Sequence, residues 1–184
     1  MDHEEYVVRA VRGEEWPRVR ELRLAALRDP AAPVAFLETY ERAAAQPDAF
    51  WRERAEGASR GEAVRQFVAE GPGGVWVGSV TVLVEEAGAD DVFGGAVEAR
   101  QAHLVGVYVR PEHRGVGATD ALFEAAVGWA WSLAGLERVR LYVHEDNPRA
   151  QAFYRRFGFV PSGVVVPVPG DPFAREYEWV LARG

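Results

Sequence analysis

Between residues 64 and 109 the chain carries three apolar, strand-like runs with no helical pattern among them. They read "VRQFVAE", "VWVGSVTVLVEE" and "AHLVGVYV", and "GPGG" between the first two signals a hairpin turn. Strands that follow one another through short turns pair antiparallel, because a parallel pair needs a crossover of a dozen or more residues. These runs therefore imply a mixed sheet and argue against a doubly wound parallel one. The third run is apolar without alternation, which predicts burial on both faces.

The remaining segments fit around that sheet. "EEYVVRAV", Glu5 to Val11, predicts a first strand. "EEWPRVRELRLAALRD" follows with Val19, Leu22, Leu24, Ala26 and Leu27 on a helical stripe, and "DPAAPVAF" breaks it. A second helical region runs from Glu38 to Glu56, interrupted at Pro47. "AGADDVFGGAVEAR", residues 87 to 100, is polar, acidic and long for a hairpin connection, and reads as a mobile insertion. A third helix is predicted from about Gly115 to Ala134, with Leu122, Phe123, Ala126, Ala130 and Leu133 on one face. "RVRLYVH" is the next strand. "NPRAQAFYRRFG" then writes both ends of a short helix: Asn147 as N-cap, Pro148 at the first position and Gly158 at the left-handed end. The tail gives two more strands around a Pro/Gly loop. The order is β-α-α-β-β-β-α-β-α-β-β, without repeats or linkers, which predicts a single domain over residues 1–184.

Composition narrows the chemistry. With 184 residues and 48% apolar content the chain can bury a sizeable core. A formal charge of −7 argues against a general nucleic-acid binder, which needs clustered basic residues. No apolar run is long enough to span a bilayer and no basic leader precedes one, so a soluble, cytoplasmic protein is expected. There is no cysteine, which removes disulfides, thiolate metal sites and a Cys acyl-enzyme. All 21 basic residues are arginine, which removes a Schiff-base lysine and the lysine of a P-loop. His3, His103, His113 and His144 show no metal-ligand spacing, so no metal is expected.

"RPEHRGVGATD", residues 110 to 120, joins the third strand of the triplet to the third helix. A strand feeding a helix through such a loop offers backbone N–H groups without intrahelical partners, at the positive end of the helix dipole. Gly115 and Gly117 let that backbone approach a ligand closely, and Arg114 adds a cation of fork geometry. The residues alone leave two readings open: a site for a phosphate or pyrophosphate, or a tight turn with a solvated arginine. After "GVG" come Ala118, Thr119 and Asp120, so neither GxGxxG nor GK[ST] is completed.

Taken together, "VYVRPEHRGVGATDAL", "LYVHEDNPRAQAFYRRFGF" and the order of elements resemble the GNAT superfamily of N-acetyltransferases. The first matches that family's [QR]-x-x-G-x-[GA] loop preceded by V-x-P-x-x-R, and the second its N-x-x-A-x-x-x-Y-x-x-x-G-F element. The likeness is specific over about Ala102 to Val160 and general in the N-terminal third. It implies a GNAT-like α/β (α+β) fold, with a mixed, mostly antiparallel sheet of about six or seven strands flanked by about four helices. It also implies direct acetyl transfer from acetyl-CoA to a primary amine of a small molecule or peptide, and a possible homodimer. A non-catalytic acyl-CoA-binding or sensor module on the same fold is the alternative.

By resemblance, Arg114, Gly115, Val116, Gly117, Ala118, Thr119 and Asp120 hold the pyrophosphate, largely through backbone amides. Val107, Tyr108 and Val109 pair their backbone with the pantetheine arm as an added strand would. Mid-strand Gly106 suits a bulge that splays this strand from "RVRLYVH". Thr119 departs from the pattern's Gly or Ala: its branched side chain crowds a phosphate, or its hydroxyl donates to one. Tyr154 matches the tyrosine that protonates the departing sulfur, although Ala150, Phe153, Tyr154 and Phe157 also share one helical face, as core residues do. Asn147 matches an asparagine contacting the CoA arm and is also fully explained as a cap. His103 is the candidate base, with His144 and Glu145 as rivals, and Phe36, Tyr40 and Phe173 are candidate walls for the acceptor.

Overall fold

The computed structural model describes residues 6–91, 93 and 95–183. Its seven strands are β1 (Val7–Ala10), β2 (Val64–Glu70), β3 (Trp76–Glu85), β4 (Gln101–Val109), β5 (Arg138–His144), β6 (Val160–Val168) and β7 (Asp171–Ala182). They form one sheet of order β1-β2-β3-β4-β5-β7-β6. Every neighbouring pair is antiparallel except β4 and β5. That one parallel pair is joined by a helical crossover, α5 in the numbering below, as parallel strands require. The mixed, mostly antiparallel α/β sheet expected from the chain is the one that forms.

Six helices flank it where about four were expected: α1 (Trp16–Arg28), α2 (Ala32–Ala35), α3 (Tyr40–Ala44), α4 (Asp48–Arg60), α5 (Ala118–Ser132) and α6 (Pro148–Phe157). "DPAAPVAF" is not a plain break: the Asp29 carboxylate accepts from the Ala31 amide at 2.9 Å and starts the single turn of α2. The expected second helical region divides at Pro47, which caps α4. The first strand covers less than expected, and Glu5 lies outside the described residues, as does His3. α5 starts at Ala118 and not at Gly115, because Gly115 and Gly117 hold φ of 75° and 96°. Positive φ cannot continue a right-handed helix. α6 has the caps its sequence announces, with the Asn147 side chain accepting from the Ala150 amide at 3.3 Å.

One expectation is overturned. The segment between β3 and β4 was expected to be mobile, yet its described residues are tied down. Asp90 bridges Ala96, Gly88 N–H donates to the Val97 carbonyl at 2.8 Å, and Val97 is buried. The Asp91 carboxylate accepts from the Phe93 and Gly95 amides and from Arg140 of β5 at 3.1 Å. The anchor is a buried arginine some fifty positions away in sequence, which local composition does not reveal.

The sheet separates two apolar clusters. On one face Leu122, Phe123, Ala126 and Ala130 of α5 pack on Val80, Val82, Leu104 and Leu141. On the other, Val19, Leu22 and Leu27 of α1 meet Trp51 and Ala55 of α4 over Val68 and Trp76. Fully burying one Leu or Trp of this kind stabilises the fold by about 1.5–3 kcal/mol.

β4 and β5 pair over three residues only, from Gln101↔Arg138 to His103↔Arg140. Beyond that point β4 bulges: Ser79 pairs with Tyr108 and Thr81 with Val105, so two β4 residues face Val80 alone. Gly106 sits in the bulge with φ 62°. From residue 104 to 109 the β5-facing edge of β4 has no strand partner, and a slot opens between the strands.

Candidate functional site

Two cavities lie along this slot. The first, about 310 Å³, is bounded by α2, the end of β4, the 114–120 loop and α6. The second, about 420 Å³, extends toward α1, α4 and β7. They share walls at Ala35, Phe36, Val107, Asn147, Ala150 and Tyr154, so they meet at the divergence of the strands.

The first cavity has features that suit an anion. Two positive-φ glycines and the first turn of α5 fall within residues 115 to 120, and the first amides of a helix have no intrahelical partner. Gly115, Gly117, Thr119 and Asp120 line the cavity; the side chains of Val116 and Ala118 turn into the core and leave only their amides to the loop. Arg114 is not a free cation. It donates to the Val109 carbonyl at 2.8 Å and pairs with Asp29 at 2.7 Å, so it braces the loop against the end of α1. Burial works to raise the Asp29 carboxyl, but the Ala31 amide, Arg114 and Arg149 outweigh it and hold it low. Arg149, whose charge also acts on Asp29, and Arg156 of α6 line the cavity and make no salt bridge among the described residues; neither is among the residues singled out above. Their signal was available: Arg149, Phe153 and Arg156 fall at i, i+4 and i+7, one face of a helix.

Tyr154 lines both cavities and packs on Phe123 and Phe159, with centroids at 5.8 and 6.1 Å. It packs as a core residue and also borders both cavities. Burial pushes its phenol well above the ordinary range, and the charge of Glu176 pushes the same way. Asn147 is the cap of α6 and also lines both cavities. Val107, Tyr108 and Val109 lie along the first cavity at the unpaired edge of β4.

The second cavity holds the titratable groups. His103 is 2% exposed, with Nδ1 3.6 Å from Glu85 Oε2, just outside hydrogen-bond reach. His144 also lines this wall, and its Nδ1 accepts the Asp146 amide at 3.0 Å. In the neutral ring the proton is therefore on Nε2, and the group faces its surroundings as a donor. Glu176 stands opposite His144 in the β5–β7 pair and has no hydrogen-bond or ion-pair partner among the described residues. Burial raises its carboxyl above the ordinary range, and His144 offsets this only in part. At the other end Arg23 pairs with Glu38 at 2.9 Å, and Arg54, on which Glu38 also acts, makes no salt bridge among the described residues. Glu145 is elsewhere, accepting from the Arg175 amide. Phe36 lines both cavities, whereas Tyr40 stacks under Arg28 at 4.4 Å and Phe173 is 93% exposed, so neither forms a wall. Glu176 and Arg54 were not found from sequence, because only the pairing of remote segments brings them here.

Comparison with known proteins gives the family and the fold. A model of the acetyltransferase (GNAT) family matches residues 16–159. A spermidine N(1)-acetyltransferase of Vibrio cholerae is 32% identical over 60 residues, a match that spans 33% of this chain and only 35% of that protein. A crystal structure of spermidine N-acetyltransferase from Vibrio cholerae with CoA and spermine superposes with a TM-score of 0.70 at 18% identity, over 98% of this chain and 96% of that one. A GNAT acetyltransferase from Streptococcus pneumoniae gives 0.73 at 16% identity, over 97% and 100%. NAA60 of Arabidopsis thaliana in complex with acetyl-CoA gives 0.68 at 16% identity, over 96% and 98%.

Proposed function

The chain belongs to the acetyltransferase (GNAT) family, and from that premise we propose that it transfers the acetyl group of acetyl-CoA directly to a primary amine. The observation that carries this reading is the meeting of an anion-accepting cavity and an amine-sized cavity at one buried tyrosine. Acetyl-CoA supplies an acetyl group activated on a thiolate leaving group. Residues 115 to 120 offer backbone amides at the start of α5 to its phosphates, and Arg149 and Arg156 add the charge that Arg114 commits to Asp29. The open edge of β4 at Val107, Tyr108 and Val109 is suited to the amide-bearing arm, as an edge strand is to an added strand.

Tyr154, kept protonated by burial, gives its proton to the departing sulfur. Glu176 takes the proton that the amine must lose. It is unpaired and raised toward the working pH, which suits a base. His103 is tied by its position to the Glu85 and Arg140 cluster, and His144 is committed as a donor, so both hold the wall in which Glu176 works.

A CoA-release assay over a panel of amines tests the reading. Tyr154→Phe is expected to lower kcat by roughly a hundredfold or more while acetyl-CoA affinity stays within about twofold. Binding of acetyl-CoA with no CoA release on any amine would instead leave a non-catalytic binding module.

A further inference from the structure

One wall of the second cavity comes from the segment between β3 and β4. Phe93 lines the cavity beside Tyr142 of β5, and the two rings meet edge to face with centroids 4.5 Å apart. Tyr142 in turn meets the His103 ring at 5.6 Å, so Phe93, Tyr142 and His103 form a row of rings along the cavity. Val34 and Phe36, in and just after α2, add apolar surface to it.

A single buried guanidinium places the first two rings. Arg140, 3% exposed, donates to the Tyr142 hydroxyl at 3.1 Å and to Asp91 Oδ2 at 3.1 Å. Asp91 Oδ1 accepts the Phe93 amide at 2.8 Å and the Gly95 amide at 2.9 Å. The two oxygens divide the work: Oδ1 shapes the turn that carries Phe93, and Oδ2 ties that turn to the sheet. Burial works to raise the Asp91 carboxyl, but the Gly95 and Phe93 amides and Arg140 outweigh it and hold it low, so it is charged at neutral pH. Phe93 is half-buried and belongs to neither apolar cluster, so this anchoring does not serve the core.

On the reading that this cavity receives the acceptor, we infer that Phe93 is a specificity-determining residue and that Asp91 positions it. The amine carries an apolar body, which packs against the wall made by Phe93 and Tyr142. Carbon removed from water against such rings gives affinity in proportion to the area covered. A very small amine gains little there, and further ammonium groups would lose water against the rings.

The test pairs a longer acceptor with a shorter one of the same head group: phenethylamine with ethylamine, and leucine with glycine. Spermidine completes the panel. CoA release is followed at saturating acetyl-CoA for the parent, Phe93→Ala and Asp91→Asn, and a thermal shift with acetyl-CoA alone is run beside it. In the parent, the better of the two longer acceptors is expected to exceed its short partner in kcat/KM by roughly tenfold or more. Phe93→Ala is expected to bring that ratio close to one through the KM of the longer acceptor, with KM for acetyl-CoA held within about twofold. Asp91→Asn keeps an oxygen for the two amides but turns a donor toward Arg140, and is expected to lower the ratio in the same direction by less. An unchanged ratio in Asp91→Asn overturns its positioning role. Short acceptors or spermidine turned over faster than the longer ones, an unchanged ratio in Phe93→Ala, or an equal loss on every acceptor overturns the inference and leaves acetyl transfer standing. No release with any member of the panel, while the thermal shift still registers acetyl-CoA, overturns transfer and the inference with it.

Discussion

Glu176 faces His144 across the β5–β7 pair, half-buried, without a salt bridge among the described residues, and raised above the ordinary carboxyl range. Below its own pKa it is neutral, so with Glu176 as the proposed base kcat/KM is expected to fall on the acid side at a pH set by this group. Because burial has raised that pKa, the fall begins at a higher pH than an exposed carboxylate would give. Glu176→Gln is expected to remove that limb from the pH profile and to lower the rate by about a hundredfold, with Glu176→Asp recovering part of it. An acid limb unchanged in the glutamine variant assigns the proton to another group. The residue was invisible in the chain because its partner in space, His144, is set by strand pairing and not by spacing. Arg54 and its neighbour Arg23 were hidden for the same reason. Phe173 shows the converse error: an aromatic in an expected acceptor segment that the fold leaves 93% exposed at a hairpin.

The elements that sequence described well are those whose ends are written in backbone chemistry. α6 begins at its asparagine cap and ends at its glycine because the orphan amides and carbonyls of a short helix need local partners. The turn into α5 was legible in part for a related reason, since its two positive φ values favour glycine. The mid-strand glycine of β4 belongs to this class. Gly106 holds φ 62° in the bulge, and a Cβ there would come no nearer than 3.9 Å to the Thr81 hydroxyl, so space is available and only the backbone objects. Gly106→Ala is expected to destabilise the fold by about 1–2 kcal/mol, the usual cost of left-handed backbone in a residue with a side chain. Chemical denaturation measures this. An unchanged midpoint would mean that the bulge does not depend on the glycine. The 87–100 segment was misread because its anchor is a tertiary ion pair, and composition speaks only of the chain's near neighbours.

Across the whole molecule, the slot exists because one end of the β4–β5 pair is clasped while the other is open. The clasp is polar and buried. Arg140 meets both oxygens of Glu85 at 2.9 Å, Glu178 at 2.9 Å and Asp91 at 3.1 Å. Arg138 joins it through Gln101, whose amide donates to Glu85. Gln101↔Arg138 and His103↔Arg140 are the paired positions, so the network lies where the two strands still touch. Burial works to raise the Glu85 carboxyl, but His103 and Arg140 outweigh it and hold it at about 2. A carboxyl lowered on folding stabilises the native state above its unfolded value of about 4.3, and that contribution is lost as pH falls toward the folded value. Glu85→Gln is therefore expected to be less stable than the parent at neutral pH by about 3 kcal/mol, at the low end for a broken buried pair because Arg140 keeps two other carboxylates. The gap is expected to narrow between about pH 4 and pH 2, as the parent's own Glu85 takes up its proton. Thermal unfolding of both proteins across that range decides it: a constant gap would show that the clasp is held by shape and not by charge.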